Sequence, residues 1–126
     1  MITTSDSLPK FKITEGNITR IFFDFKEIVV KDFENGNDRV AYQGENVDVI
    51  GNADYGSIAS AIVKDKYPSD VKDAVQANYE LAKEADSPLS EEKRAEYLKE
   101  YEDYQAWRIK AKEVAKRVLN DDNSTE

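Results

Sequence analysis

The side chains of this chain that could carry chemistry are its carboxylates. Glu91, Glu92, Glu96, Glu100, Glu102 and Asp103 crowd one stretch, with Lys93, Arg94 and Lys99 interleaved. Paired carboxylates serve as general acid and base, or as ligands for a hard divalent cation. Both uses need oxygens converging from several elements, and helical di-metal sites add histidines. On a single helix Glu96 and Glu100 form a like-charge pair one turn apart, while Glu96 and Lys99 attract. That pattern reads as a solvated face. The chain has no histidine and no cysteine. Ser-His-Asp triads, Cys-His dyads and thiolate zinc sites are therefore excluded by composition. Carboxylates, Lys, Tyr, Ser and Thr remain, enough for a small carboxylate-dependent enzyme, although 126 residues is short for one. The sequence assigns no catalytic residue, no metal ligand and no cofactor.

Two loop motifs fall short of the sites they resemble. "DFENGNDRVAYQGE", from Asp32, resembles a calcium loop, but the glycine expected at the sixth position is Asn37. "GNADYGS" has two glycines at phosphate-loop spacing without the Lys-Ser/Thr that must follow. The cations Arg108, Lys110, Lys112, Lys116 and Arg117 crowd the closing turns, whereas acids dominate from Glu80 to Asp103. Acids early and bases late complement a helix dipole. A docking patch for an acidic partner is the alternative. The net charge of −8 argues against nucleic acid and anionic membrane as partners.

The elements that must position these groups fall in two textures. Residues 10–50 are β-branched and aromatic with turn punctuation, and residues 54–119 show helical periodicity. Together they predict an α+β fold in one domain spanning 1–126: an antiparallel β-meander of three or four short strands, then two or three helices, the last one long. Residues 1–9 and 120–126 read as frayed tails. The opening "MITTSDSLPKFKI" lacks the basic and apolar regions of a secretory signal. No apolar run is long enough to span a membrane, and the mean hydropathy is −0.72.

"FKIT" is a strand candidate, followed by a turn at Glu15–Asn17. In "ITRIFFDFKEIVV" the alternation places Ile21, Phe23 and Phe25 on one face and Arg20, Phe22, Asp24 and Lys26 on the other. The order shifts near Glu27, as a bulge or a break between strands would make it. Asn-Gly in "ENGN" signals a hairpin, with "RVAYQ" as the return strand and "VDVI" as a further one. Asn52 or Asp54 caps a first helix that Pro68 stops, Ser69 caps a second, and Ser87 with Pro88 starts a third that runs unbroken to Asn120.

On that last helix Tyr97, Tyr104, Ala111 and Val118 recur by sevens, with Tyr101 and Arg108 on one flank and Trp107 and Val114 on the other. Such a stripe packs on the preceding helix and the sheet. Tyr, Trp and Arg are also enriched at interface hot spots, and a helix this long overruns a small sheet. The sequence leaves both readings open. "ADYGSIASAIVKDKYPSDVKDAVQANYELAK" and "EYEDYQAWRIKAKEVAKRVL" resemble small accessory proteins of tailed bacteriophages and prophages. The closing part is similar to tail-fibre assembly proteins, whose last helix carries a Trp with a nearby Arg, here Trp107 and Arg108. The commoner pattern has a tyrosine directly before the arginine, where this chain has Trp107.

The resemblance covers about half the chain and implies a non-catalytic protein that binds fibre or other virion components. The expected role is thus protein–protein interaction in particle assembly, as chaperone or accessory subunit. Contacts would be made through Tyr97, Tyr101, Tyr104, Trp107 and Arg108, through strand edges, and through Phe22, the apolar residue on an otherwise polar strand face. The expected partners are other proteins, self-association included, with no nucleic acid and no membrane. The expected location is the host cytoplasm or the virion. The alternatives are an acidic host-directed regulator or nucleic-acid mimic, and a carboxylate-dependent enzyme.

Overall fold

The structure, a computed structural model, describes residues 1–31 and 36–124, with side chains described to Asn120. The fold is α+β: a four-stranded antiparallel sheet followed by three helices. The strands are β1 (Ile2–Ser5), β2 (Lys12–Glu15), β3 (Ile18–Lys31) and β4 (Asp38–Ile50). The helices are α1 (Tyr55–Lys66), α2 (Ser69–Lys83) and α3 (Glu91–Ser124). In space the strands lie in the order β1-β4-β3-β2, so β2-β3-β4 is a meander and β1 closes its far side.

Several expectations are corrected. Residues 1–9 are not a frayed tail. Ile2–Ser5 pairs with β4 in the register Ile2↔Glu45 to Ser5↔Tyr42, and Asp6 forms an ion pair with Arg39. β3 and β4 are not short: they are 14 and 13 residues long, and "RVAYQ" and "VDVI" are one strand. The helix likewise continues through most of the second expected tail. The expected Glu34–Asn37 turn lies largely outside the described residues. Gly36, at its described end, has φ +70°, which glycine adopts at no steric cost.

The break in alternation is a bulge within one strand. The register runs Phe23↔Glu45 and then Lys26↔Gln43, so two residues of β3 stand opposite Gly44. Asp24 takes a left-handed conformation, φ 57°, which Asp tolerates better than most side chains. The bulge exchanges Asp24 and Phe25 between the faces. Asp24 reaches Lys110 of α3 at 2.6 Å, while Phe25 turns to the opposite face and meets Phe22 with ring centroids 6.0 Å apart. The expected grouping of Phe25 with Ile21 and Phe23 is thereby reversed.

One face of the sheet carries the core. Ile21, Phe23, Val47 and Val49 pack under Ile58 and Ile62 of α1 and under Ala111, Val114, Ala115 and Val118 of α3. The first half of α3 lies against α2 instead. Asp54 caps α1, its carboxylate accepting the Ser57 amide at 2.8 Å. The expected caps of the other two helices move. Pro68 stands at the α2 cap position with no side-chain bond, and Ser69 is already helical. Ser87 accepts the Leu89 amide two residues on, a turn that consumes its hydroxyl, and α3 starts after Ser90, which accepts the Lys93 amide at 3.2 Å.

The Ser57 amide holds the Asp54 carboxyl below its ordinary pKa. A carboxyl lowered in this way stabilises the fold above its unfolded pKa, near 4, and that contribution is lost as pH falls through the folded value. Asn at the same position also caps a helix but does not titrate. Thermal unfolding followed by circular dichroism is therefore expected to show a smaller fall in Tm for Asp54→Asn than for the parent between about pH 5 and pH 2. Parallel curves would remove the cap from the acid response.

Candidate functional site

The aromatic residues of α3 are engaged within the chain. Tyr104 is only 3% exposed and meets the Tyr67 ring edge-on, with centroids 4.9 Å apart. Tyr101 stacks on Tyr79 of α2 at 3.7 Å and 8°. Trp107 packs against Phe23 with centroids 6.0 Å apart, and its indole Nε1 donates to the Ile62 carbonyl oxygen at 2.9 Å. Lys66 lies 4.4 Å over the same indole ring. Arg108 spans the Tyr104 ring at 5.9 Å and donates to Gln105 at 2.9 Å. Tyr97, half-buried, lies under the Lys93 ammonium at 5.2 Å. Tyr101, Tyr104 and Arg108 thus form one aromatic seam with Tyr67 and Tyr79. Trp107 belongs to the joint between α1, α3 and the sheet.

The carboxylates of α3 do not converge. Glu96 pairs with Lys93 at 3.2 Å and Asp103 with Lys99 at 2.7 Å, both exposed. Glu100 and Asp103 line a shallow groove with Tyr67, Val71 and Val75. Burial, with these two acids second, raises the Tyr67 phenol above its usual pKa. No group of three or more acids among the described residues is placed to hold a metal ion.

Phe22 sits elsewhere, in the wall of an open cleft of about 800 Å³. The cleft straddles the edge of β3 where β2 ends. Phe22 and Phe25 enter from one face of the sheet, while Phe23 and Val118 enter from the helix-covered face. The segment from Leu8 to Lys12 forms the outer wall. It is fixed there because β1 lies beyond β4 and β2 beyond β3, so the chain between them must cross the sheet. Phe11 is 37% exposed and Leu8 more so. The rim carries Lys10, Lys12 and Arg117. Among the described residues of the lining the one acid, Asp24, is held by Lys110 at 2.6 Å. In a chain of net charge −8 the cleft is a basic, phenylalanine-walled exception.

A volume of this size, apolar with a few charged groups at the mouth, suits side-chain or small-molecule capture. The sequence singled out Phe22 alone of this set. Strict alternation places Phe25 on the wrong face because no residue type marks the bulge, and the tail expected over 1–9 takes in Leu8 and stops beside Lys10. A signal was present: "LPKFKIT" alternates apolar and basic residues, as a strand edge beside a binding cleft does. No family model, curated protein or solved structure matches the chain. Among the described residues no helix is long and apolar enough to cross a membrane.

Proposed function

We propose that this chain is a non-catalytic protein-binding protein, whose cleft around Phe22 holds an acidic, apolar-anchored segment of a partner. The supporting observation is the cleft itself, with phenylalanine walls and cations on the rim of an otherwise acidic molecule. An apolar side chain buried between Phe22, Phe25 and Phe11 supplies affinity, at about 25 cal/mol per Å² removed from water. Lys10 and Arg117 select acidic neighbours and speed encounter. In the setting implied by the resemblance of the last helix, the partner is a virion or tail-fibre component during particle assembly. The acidic-mimic alternative draws its support from net charge alone. The enzyme alternative has no converging acids among the described residues to work with.

A synthetic peptide alternating aspartate with phenylalanine tests the reading. Titrated into isotope-labelled protein, it should shift the amides of Leu8 to Lys12, Phe22 to Phe25 and Arg117. Arg117→Glu should weaken binding by about tenfold, corresponding to 1.4 kcal/mol. No binding at millimolar peptide, equal binding of a lysine–phenylalanine peptide, or shifts confined to Tyr97–Arg108 would each refute it.

A further inference from the structure

β3 outruns its neighbour. β2 pairs with β3 only from Ile18 to Ile21, and one further bond, Phe22 N–H to the Phe11 carbonyl at 2.9 Å, extends the ladder. β4 continues alongside β3 as far as Asp38, whereas β1 covers β4 only from Tyr42 to Glu45. Among the described residues no strand lies beside the outer edge of β3 beyond the bulge. The distal hairpin, Lys26–Lys31 against Asp38–Gln43, is thus largely a two-stranded arm, and two strands alone are marginal in water. Val29 and Val40, opposite each other on one face, are 65% and 53% exposed.

The ladder fixes which backbone groups face the open edge. In an antiparallel strand the N–H and C=O of one residue point to the same side, and successive residues alternate. Asn46 N–H bonds Met1 on the β1 side, and Gly51 N–H bonds Asn17 on the β3 side. Odd-numbered residues of β4 therefore face β3. Their partners beyond the bulge are Lys26 with Gln43, Ile28 with Ala41 and Val30 with Arg39, so these β3 residues face β4. Glu27, Val29 and Lys31 turn their N–H and C=O outward.

We infer that two copies of this chain join antiparallel through the β3 edge, with Val29 of one copy opposite Val29 of the other. The register is selected by charge. It places Glu27 of each copy opposite Lys31 of the other, twice by two-fold symmetry, and Ile28 opposite Val30. Val29 and the Glu27–Lys31 pairs are the positions whose backbone groups point outward, so each opposed pair exchanges both N–H···O bonds. Neighbouring registers fail. Centring between Ile28 and Val29 sets Lys26 against Lys31, and centring on Ile28 sets Glu27 against Val29, so that neither Glu27 nor Lys31 meets an opposite charge. The antiparallel direction carries the body of the second copy beyond Lys31 of the first, away from the cleft. The inference uses residues beyond Phe25 and stands whether or not the cleft binds a peptide.

Sedimentation velocity on the full chain over a range of concentrations tests the association. The parent should dimerise. Glu27→Lys and Lys31→Glu alone each set like charges opposite and should raise the dissociation constant about tenfold. The double variant, Glu27→Lys with Lys31→Glu, restores opposite charges and should restore the dimer. Both residues are exposed, so circular dichroism should show the fold unchanged. Register is tested separately by Val29→Cys. The chain contains no cysteine of its own. Directly opposed hydrogen-bonded residues lie about 5.5 Å apart at Cα, within disulfide reach. Val29→Cys should cross-link to itself on mild oxidation, and Val40→Cys, exposed but on β4 with its backbone groups turned away from the β3 edge, should not. A parent that stays monomeric at millimolar concentration, a charge swap that fails to rescue, or cross-linking equal at both positions would overturn the inference.

Discussion

Trp107→Ala is expected to remove a large part of the stability of the fold. The indole joins three elements at once, packing on Phe23 of β3, donating to the Ile62 carbonyl of α1 and taking Lys66 over its face. Truncating a fully buried large aromatic costs about 3–5 kcal/mol, because the transfer term and the cavity term add, and the partly buried Trp107 belongs at the lower end of that range. Total stability of a domain this size is about 5–15 kcal/mol. Loss of the ring also strips one partner from the Ile62 carbonyl oxygen. Trp107→Phe separates the two contributions: it keeps most of the ring packing and forfeits the 2.9 Å hydrogen bond, an expected cost of about 1–2 kcal/mol. Urea unfolding followed by far-ultraviolet dichroism measures both. If Trp107→Ala kept the parent midpoint yet lost a partner, the indole would be a displayed contact, as one of the two sequence readings held.

The second large effect is expected at Gly44. A Cβ there would lie 2.5 Å from Phe25 Cδ2, 2.7 Å from its Cγ and 2.8 Å from the carbonyl oxygen of Phe23. Replacing glycine in a strand interior ordinarily helps, since it reduces the entropy of the unfolded chain by up to about 1 kcal/mol. Here the contacts decide the sign. The Phe25 ring could swing away, but the Phe23 carbonyl belongs to the ladder opposite Glu45 and cannot. Gly44→Ala is expected to destabilise by about 1–3 kcal/mol through overpacking. The relaxation that is open to it moves Phe25 off Gly44 and away from Phe22, spoiling the cleft wall. Peptide affinity should therefore fall together with stability, whereas Trp107→Phe should lower stability and leave affinity intact. An alanine tolerated at both levels would mean that Phe25 is not held where the cleft needs it.

The architecture was legible where a local pattern repeats over many residues. Two or three helices, the last one long, and an N-terminal antiparallel sheet followed from the change of period near residue 54, and a cap at Asn52 or Asp54 from their position before an apolar run. The structure departs from the sequence reading wherever a distant partner decides. "ITTS" has too few apolar residues to announce a strand, and becomes one because the 42–45 edge of β4 stands open to it. "RVAYQ" and "VDVI" looked separate because Gly44, Glu45 and Asn46 interrupt the β-branched run. Gly44 is there to admit Phe25, a reason that lies on another strand. The hydroxyls of Ser87 and Ser90 are equally plausible caps, and the turn that uses Ser87 settles the choice. For the site, residue type pointed to the tyrosines and tryptophan of α3. Their spacing by sevens is the same whether the face meets an inner or an outer partner. The phenylalanines around the cleft come together from the approach to β2 and from a bulged β3, an arrangement that no single window of sequence displays.

Helix α3 meets Tyr79 of α2 through Tyr101 and the sheet through Ala111 to Val118 with no interruption between them. The angular phase between these two contacts is therefore set by residue count alone. One residue inserted or deleted between Tyr104 and Ala111 turns one end of the rod by about 100° against the other, so that only one of the two contacts survives. Changes in chain length can be absorbed at the ends of the rod or in the 84–90 connection, and not along the stretch where Trp107 sits.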